Sequence, residues 1–186
     1  MRLFIAIEIP EDIRARIASL LKEFRAISPH GKWVRPENLH LTLKFMGETD
    51  PAKLVEVQSA LASICSAQPI TIEFRGLGFF PNARRPRVFW LGIQSSAALA
   101  DTVAAIDRAV HKLGFPLEER PFTPHLTLAR FTESSLAASL QSAITEKAAV
   151  SLGAFTATEF HLIESKLKSS GAEYTTLQSF PFVAEA

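Results

Sequence analysis

The chain has 186 residues, enough for one sizeable core or two small lobes, and 47% of them are hydrophobic against 21% charged, a globular balance. A formal net charge of +1 excludes an overall basic field that would recruit nucleic acid, so any attraction for phosphate must be local. The one cysteine, Cys65, excludes an internal disulfide framework and fits a reducing compartment; among the apolar residues of a predicted helix, it is expected to be buried and inert.

Residues 2–9 read as a strand rich in Ile and Phe. The apolar run is broken by Glu8 and Pro10, too short for a signal segment or a membrane span, so a soluble cytoplasmic protein is expected. Pro10-Glu11-Asp12 opens a helix with acidic residues where its dipole favours them, and Ile13, Ile17, Leu20, Leu21, Phe24 and Ile27 recur at helical spacing. Pro29-His30-Gly31 ends it. Residues 32–35 are extended and 39–45 form a second strand. Asp50-Pro51 caps a second helix carrying Leu54, Val57, Leu61 and Ile64. A strand over 70–74 precedes the least regular stretch, 76–87, which reads as a loop with Arg84, Arg85 and Arg87 clustered.

Residues 88–93 are again a strand. Leu99, Val103, Ile106, Val110 and Leu113 mark a third helix, with Gly114 as its C-terminal stop. Pro121-Phe122-Thr123-Pro124 leads into another strand from His125. Thr132 is placed to cap a fourth helix, with Leu136, Leu140 and Ile144 on its inner face. Residues 155–166 and 172–178 are the closing strands, joined by a Ser169-Ser170-Gly171 turn.

Four residues occur twice, as His40-Leu41-Thr42-Leu43 and His125-Leu126-Thr127-Leu128, 125 − 40 = 85 positions apart. Shifted by 85, Arg2-Leu3-Phe4-Ile5 falls on Arg87-Val88-Phe89-Trp90; shifted by 86, Thr71-Ile72-Glu73-Phe74 falls on Ala157-Thr158-Glu159-Phe160. The chain therefore reads as one domain, 1–186, with pseudo-duplicated halves of roughly 1–80 and 87–180. A pseudo-twofold axis would bring the two His-bearing strands together.

Alternation along a strand sends His and Thr to one face, about 7 Å apart, and the leucines to the other. Lining an inner surface with polar groups costs roughly 1–3 kcal/mol for each left unpaired, so building it twice calls for a polar occupant. Imidazole titrates near pH 6.5, so two of them flanking one phosphorus can serve as general base and general acid. Threonine hydroxyls can donate to the non-bridging oxygens during in-line displacement. A metal centre is the rival use of two histidines, but no third ligand and no His-x-x-x-His or Cys-x-x-Cys spacing accompanies them. No metal and no cofactor is therefore expected. His30, His111 and His161 lack ligand spacing and read as structural or solvent-facing.

The doubled His-x-Thr pattern resembles the 2H phosphoesterase superfamily, in particular its RNA 2′,3′-cyclic phosphodiesterase branch, also known as 2′-5′ RNA ligase. The likeness covers nearly the whole chain. It includes Arg2-Leu3-Phe4-Ile5-Ala6, the run from Asn38 through Gly47, the run from Pro124 through Arg130, and Phe160-His161-Leu162-Ile163-Glu164-Ser165 with Tyr174. The resemblance implies an α+β, bilobal fold: two pseudo-twofold-related lobes of antiparallel sheet with flanking helices and an active-site cleft between them. It also implies hydrolysis of RNA 2′,3′-cyclic phosphate ends to 2′-phosphates, with His40 as proton donor to the leaving 3′ oxygen, His125 as the base that activates water, and Thr42 and Thr127 on phosphate oxygens. Alternatives left open are 2′-5′ ligation of tRNA halves, cleavage of other 2′-5′ or cyclic nucleotides, and a non-catalytic nucleotide-binding module. The expected partner is an RNA end, with tRNA halves among the candidates, no membrane, and no second subunit.

In that family the arginine corresponding to Arg130 helps hold the phosphate or nucleotide. Strict alternation from His125 puts Ala129 on the cleft face and Arg130 on the other, so Arg130 reaches the site only if the strand bulges. Lys44 is in phase with His40 and Thr42, where it would either touch RNA or be a solvated lysine. Arg84, Arg85 and Arg87 fit RNA contacts or a solvated loop. Trp33, Phe79 and Phe80 are candidate stacking platforms, with core packing the commoner use of such residues.

Overall fold

The computed structural model describes residues 1–29, 31–64, 66, 69–132, 138–169 and 171–182. Within them the order is β1 (Arg2–Glu8), α1 (Glu11–Ile27), β2 (Lys32–Trp33), β3 (His40–Glu48), α2 (Leu54–Ala62), β4 (Ile70–Phe80), β5 (Val88–Ser95), α3 (Ala97–His111), β6 (His125–Arg130), α4 (Ala138–Glu146), β7 (Ser151–Ala157), β8 (Glu159–Lys168) and β9 (Gly171–Pro181). Short 3-10 turns at Pro36–Asn38 and Pro51–Lys53 precede β3 and α2.

Local chemistry accounts for most boundaries. Asp50 caps the turn before α2 by accepting from the Ala52 amide at 3.0 Å. Gly114 takes φ 91° beyond α3, a left-handed conformation that glycine adopts without strain. Ile13, Ile17, Leu20, Leu21 and Phe24 bury one stripe of α1, whereas Ile27, at the helix end, is exposed.

The strands form two antiparallel sheets, in the orders β3-β1-β8-β9 and β2-β6-β5-β4-β7. Each His-bearing strand pairs with the first strand of its own half, but the third strands are exchanged. β4, from the first half, pairs with β5; β8, from the second, pairs with β1. The helices cross over as well. α1 packs with α4 and meets β7, and its Phe24 ring stands edge-on to Phe89 of β5; α2 and α3 pack together and touch β9 and β3. One continuous buried cluster spans both lobes, while Phe4, Ala6 and Ile163 form a separate small cluster on the opposite face of the four-stranded sheet. That opposite face is the one carrying His40. The fold is α+β with two lobes of antiparallel sheet.

Three expectations need correction. The stretch 76–87 is not all loop, because β4 continues to Phe80. Its glycines serve the strand: Gly76, at φ 82°, lies in the irregularity between Phe74 and Leu77, and Gly78 lies under the Trp90 ring, where a Cβ would stand 2.2 Å from a ring carbon. Residues 155–166 are not one strand but the end of β7 and most of β8, which belong to different sheets. The internal offsets also shift. Ala6 pairs with Thr42 and Trp90 with Thr127, so β1 maps onto β5 at 90 − 6 = 84, and Phe80 and Ile163, paired with Val88 and Phe4, map at 163 − 80 = 83. Matching Phe4 to Phe89 by identity ignored their faces. Phe4 looks into the cleft and Phe89 into the core, the difference a one-residue slip makes.

Leu140 and Ile144 of α4 are buried as expected, but its Leu136 and the segment that Thr132 would cap lie outside the described residues. His30, Cys65 and Ser170 lie outside them too. Among the described residues no helix is long and apolar enough to cross a membrane.

Candidate active site

β3 and β6 are the strands at which the two sheets approach, with Cα atoms within 8 Å of one another. Both carry a bulge at the same point of the repeated motif. Thr42 pairs with Ala6 and Lys44 with Ile5, leaving Leu43 as the extra residue; Thr127 pairs with Trp90 and Ala129 with Phe89, leaving Leu128. The faces therefore read His, Thr and the residue three beyond Thr on one side. Leu43 and Lys44 are both buried, as are Leu128 and Ala129, while Phe45 and Arg130 come out on the face of the histidines.

The condition on Arg130 is thus met geometrically, since the strand bulges and turns the side chain to the face of His125 and Thr127. Its charge reaches across to Tyr174 of the other sheet, where burial raises the phenol and the cations of Arg2 and Arg130 oppose that rise. Lys44 is the correction. The same bulge turns it into the interior, where Nζ meets Asp107 Oδ1 at 2.5 Å and donates to the Pro116 carbonyl at 2.7 Å. Burial works to raise the Asp107 carboxyl, but the Lys44 and Glu118 hydrogen bonds and the Lys44 charge outweigh it and hold the group below its usual range.

The two imidazoles are held alike. His40 Nδ1 lies 2.8 Å from the Asn38 carbonyl oxygen, and His125 Nδ1 lies 2.8 Å from that of Thr123, each two residues upstream. A carbonyl only accepts, so Nδ1 carries the hydrogen in both rings and the lone pair of the neutral form is on Nε2. Their surroundings differ. His40 is packed against Phe4 at 4.6 Å and the edge of Tyr174 at 5.1 Å, whereas His125 meets the edge of Phe80 at 5.0 Å. Burial, opposed by the Asn38 hydrogen bond and reinforced by the Arg14 charge, lowers the His40 pKa to about 4. Thr42 and Thr127 are half-buried on the same faces, and neither hydroxyl is engaged by a partner among the described residues.

A cavity of about 540 Å³ opens beside His40, lined in part by Glu8, Arg14, Glu37, Tyr174 and Thr176. A smaller hollow of about 380 Å³ between α1 and Trp33 contains none of the candidate catalytic or phosphate-binding residues. Among the described residues no group of three or more His, Cys, Asp or Glu side chains is placed to hold a metal ion.

The remaining candidates separate cleanly. Of the possible stacking platforms, Trp33 is core, with Nε1 donating to the Ser28 carbonyl at 2.7 Å, and Phe79 stacks on Phe89 at 5.1 Å; Phe80 alone of the three adjoins a motif histidine. Arg84 and Arg85 are exposed in a turn whose amides bond Asn82 Oδ1, and Arg87 donates to the Thr132 carbonyl at 2.9 Å. His111 Nδ1 is bonded to the Phe115 carbonyl, and buried His161 Nδ1 lies 2.9 Å from Ser179 Oγ, both structural roles. Phe4, Phe45 and Arg14 were not foreseen around the site. The signal for Phe45 was available, since it stands 85 positions before Arg130.

Two exchanged-strand lobes, each contributing a His-x-Thr strand with a matched Nδ1–carbonyl bond, define a duplicated two-histidine α+β protein. The family model for LigT-like phosphoesterases matches residues 7–90 and again 91–174, and the chain belongs to that family, a branch of the 2H phosphoesterases. It is 37% identical over 180 residues to the RNA 2′,3′-cyclic phosphodiesterase of Methanocaldococcus jannaschii, covering 97% of this chain and 100% of that one. The protein of the same name from Archaeoglobus fulgidus is 33% identical, covering 97% and 99%. Among solved structures, TT0787 of Thermus thermophilus superposes with a TM-score of 0.81 at 30% identity, over 98% of each chain. Escherichia coli LigT complexed with 3′-AMP superposes at 0.75 and 30%, over 97% of each.

Proposed function

We propose that the chain hydrolyses 2′,3′-cyclic phosphate ends of RNA to 2′-phosphomonoesters by two-histidine general acid–base catalysis, without a metal or other cofactor. The observation that carries this reading is the pair of identical Nδ1–carbonyl bonds at His40 and His125, on the strands where the sheets meet. It leaves both Nε2 atoms for proton transfer, a provision that binding alone would not require. The names of the relatives and the 3′-AMP complex of E. coli LigT support a nucleotide phosphate as the occupant.

His125 Nε2 takes a proton from water as the water oxygen bonds to phosphorus. The P–O3′ bond breaks on the opposite side, and O3′ takes the proton from His40 Nε2. Thr42 and Thr127 donate to the non-bridging oxygens, and Arg130 adds positive charge from the His125 side. In the open cleft His40 is neutral at pH 7, since burial and Arg14 hold its pKa at about 4. A phosphodiester anion arriving beside it favours the imidazolium, so His40 acquires with the substrate the proton it later donates. Afterwards the proton gained by His125 leaves to solvent.

The chain acts as a monomer in this reading, because both histidines come from one chain, and in a reducing cytoplasm. Its 186 residues form a single unit of two duplicated halves, supported by the two consecutive family matches. The test is an oligoribonucleotide with a 2′,3′-cyclic end, incubated in excess chelator. A 2′-phosphate product is expected. A 3′-phosphate would reverse the leaving group, and loss of turnover restored by added metal would refute the cofactor-free route.

A further inference from the structure

His40 is held by more than its own hydrogen bond. Arg14, on the first turn of α1 and 19% exposed, directs its guanidinium at main-chain oxygens. Nη1 donates to the carbonyls of Pro36 at 3.1 Å, Glu37 at 3.3 Å and Leu39 at 3.3 Å, and Nη2 to that of Ile9 at 3.0 Å. Three of the four belong to the turn entering β3. Asn38, inside that turn, supplies the oxygen bonded to His40 Nδ1, and its own Nδ2 donates to the Ala172 carbonyl at 3.0 Å, tying the turn to β9. At the other motif the Thr123 carbonyl has no such cation among the described residues; nearby, the Thr123 hydroxyl makes one long bond, 3.5 Å, to the Pro121 carbonyl. A planar, always-charged fork suits this task, since it fixes several acceptors at once and a lysine does not.

We propose that Arg14 is the positioning residue for His40: it clamps the 36–39 turn so that the Asn38 carbonyl aims the ring, and it gives this motif a cation that the His125 motif lacks among the described residues. This rests on the two-histidine reading above. The charged or titratable groups around His40 among the described residues are Glu8 of β1, Glu11 and Arg14 of α1, Glu37 of the turn and Tyr174 of β9, with Arg2 of β1 and, across the cleft, Arg130 acting on Tyr174. Among them it is the Arg14 charge that acts on His40, in the same direction as burial. Burial is the larger influence and Arg14 adds to it, so the ring stays unprotonated until an anion enters the cleft. Protonation of His40 is thereby tied to occupancy of the cleft.

The experiment compares wild type, Arg14→Lys and Arg14→Met by NMR titration of the histidine rings and by kcat and KM on the cyclic-phosphate oligonucleotide. Arg14→Lys keeps the charge and loses the fork, so kcat falls by about 10²-fold, the scale of a misplaced catalytic group, while the His40 midpoint stays low. Arg14→Met loses both, so kcat falls similarly and the His40 midpoint moves up. A kcat for Arg14→Lys within about twofold of wild type overturns the clamp, and an unmoved His40 midpoint in Arg14→Met overturns the charge effect. Should Arg14→Met not fold, the kcat of Arg14→Lys decides alone. If the titrations shift as expected while wild type leaves the cyclic phosphate intact, the proposed substrate fails and the link between Arg14 and His40 stands.

Discussion

Each motif histidine places one nitrogen against a main-chain carbonyl, and in the proposed mechanism the other nitrogen transfers a proton, so removing either ring would remove one proton-transfer partner. His40→Ala and His125→Ala are each expected to lower turnover of the cyclic phosphate by about 10²–10⁴-fold, read in steady-state kinetics. His40 also links stability to pH. In the unfolded chain its ring titrates near 6.5, whereas in the folded protein it does so at about 4. Between those values the unfolded chain binds a proton that the folded one refuses. This contribution is fully present above about pH 6.5 and is lost as pH falls toward 4, up to roughly 3 kcal/mol. Urea midpoints at pH 7.5 and pH 4.5 should fall further for wild type than for His40→Gln; equal losses would show that another group dominates.

Paired bulges decide what each edge of the cleft offers. Without them Lys44 would face the cleft and Arg130 would leave it; with them Lys44 enters the interior and binds α3 to β3 through Asp107. The side chains are 6% and 15% exposed, so Lys44→Met leaves a carboxylate with little water and no cation. A loss of about 3–5 kcal/mol in chemical denaturation is expected, with most of it recovered when Asp107→Leu is added. The bulges also explain an asymmetry. Phe45, 64% exposed, and Arg130 occupy corresponding places on opposite strands, so one lip of the cleft is aromatic and the other cationic. Alternation alone could not show this, because a single extra residue inverts every face beyond it.

Exchange of the third strands makes the lobes interdependent. Residues 1–83 contain β1 and β3 without β8, and β4 without β5, so each sheet of that fragment lacks its central partner. Fragments 1–83 and 84–186, divided in the exposed turn after β4, are each expected to be largely unfolded by circular dichroism. Mixed together, they should regain ellipticity and turnover. A folded, cooperative 1–83 fragment would contradict the exchange.

From the residues alone came the element order up to α4, the repeated His-x-Thr strands, the cap at Asp50 and the helix stop at Gly114, because propensity, capping and periodicity act over a few neighbouring positions; the division of 155–166 between β7 and β8 did not. Gly76 and Gly78 misled for the same reason: locally they read as loop, and only pairing with β5, which brings the ring of Trp90 over Gly78, explains them. Strand exchange, the inward turn of Lys44, the arrival of Arg130 at the cleft and the clamp of Arg14 on the 36–39 turn were settled by tertiary structure. Each depends on which distant segment lies alongside, a choice made by pairing register and by burial of the shared core rather than by any local preference.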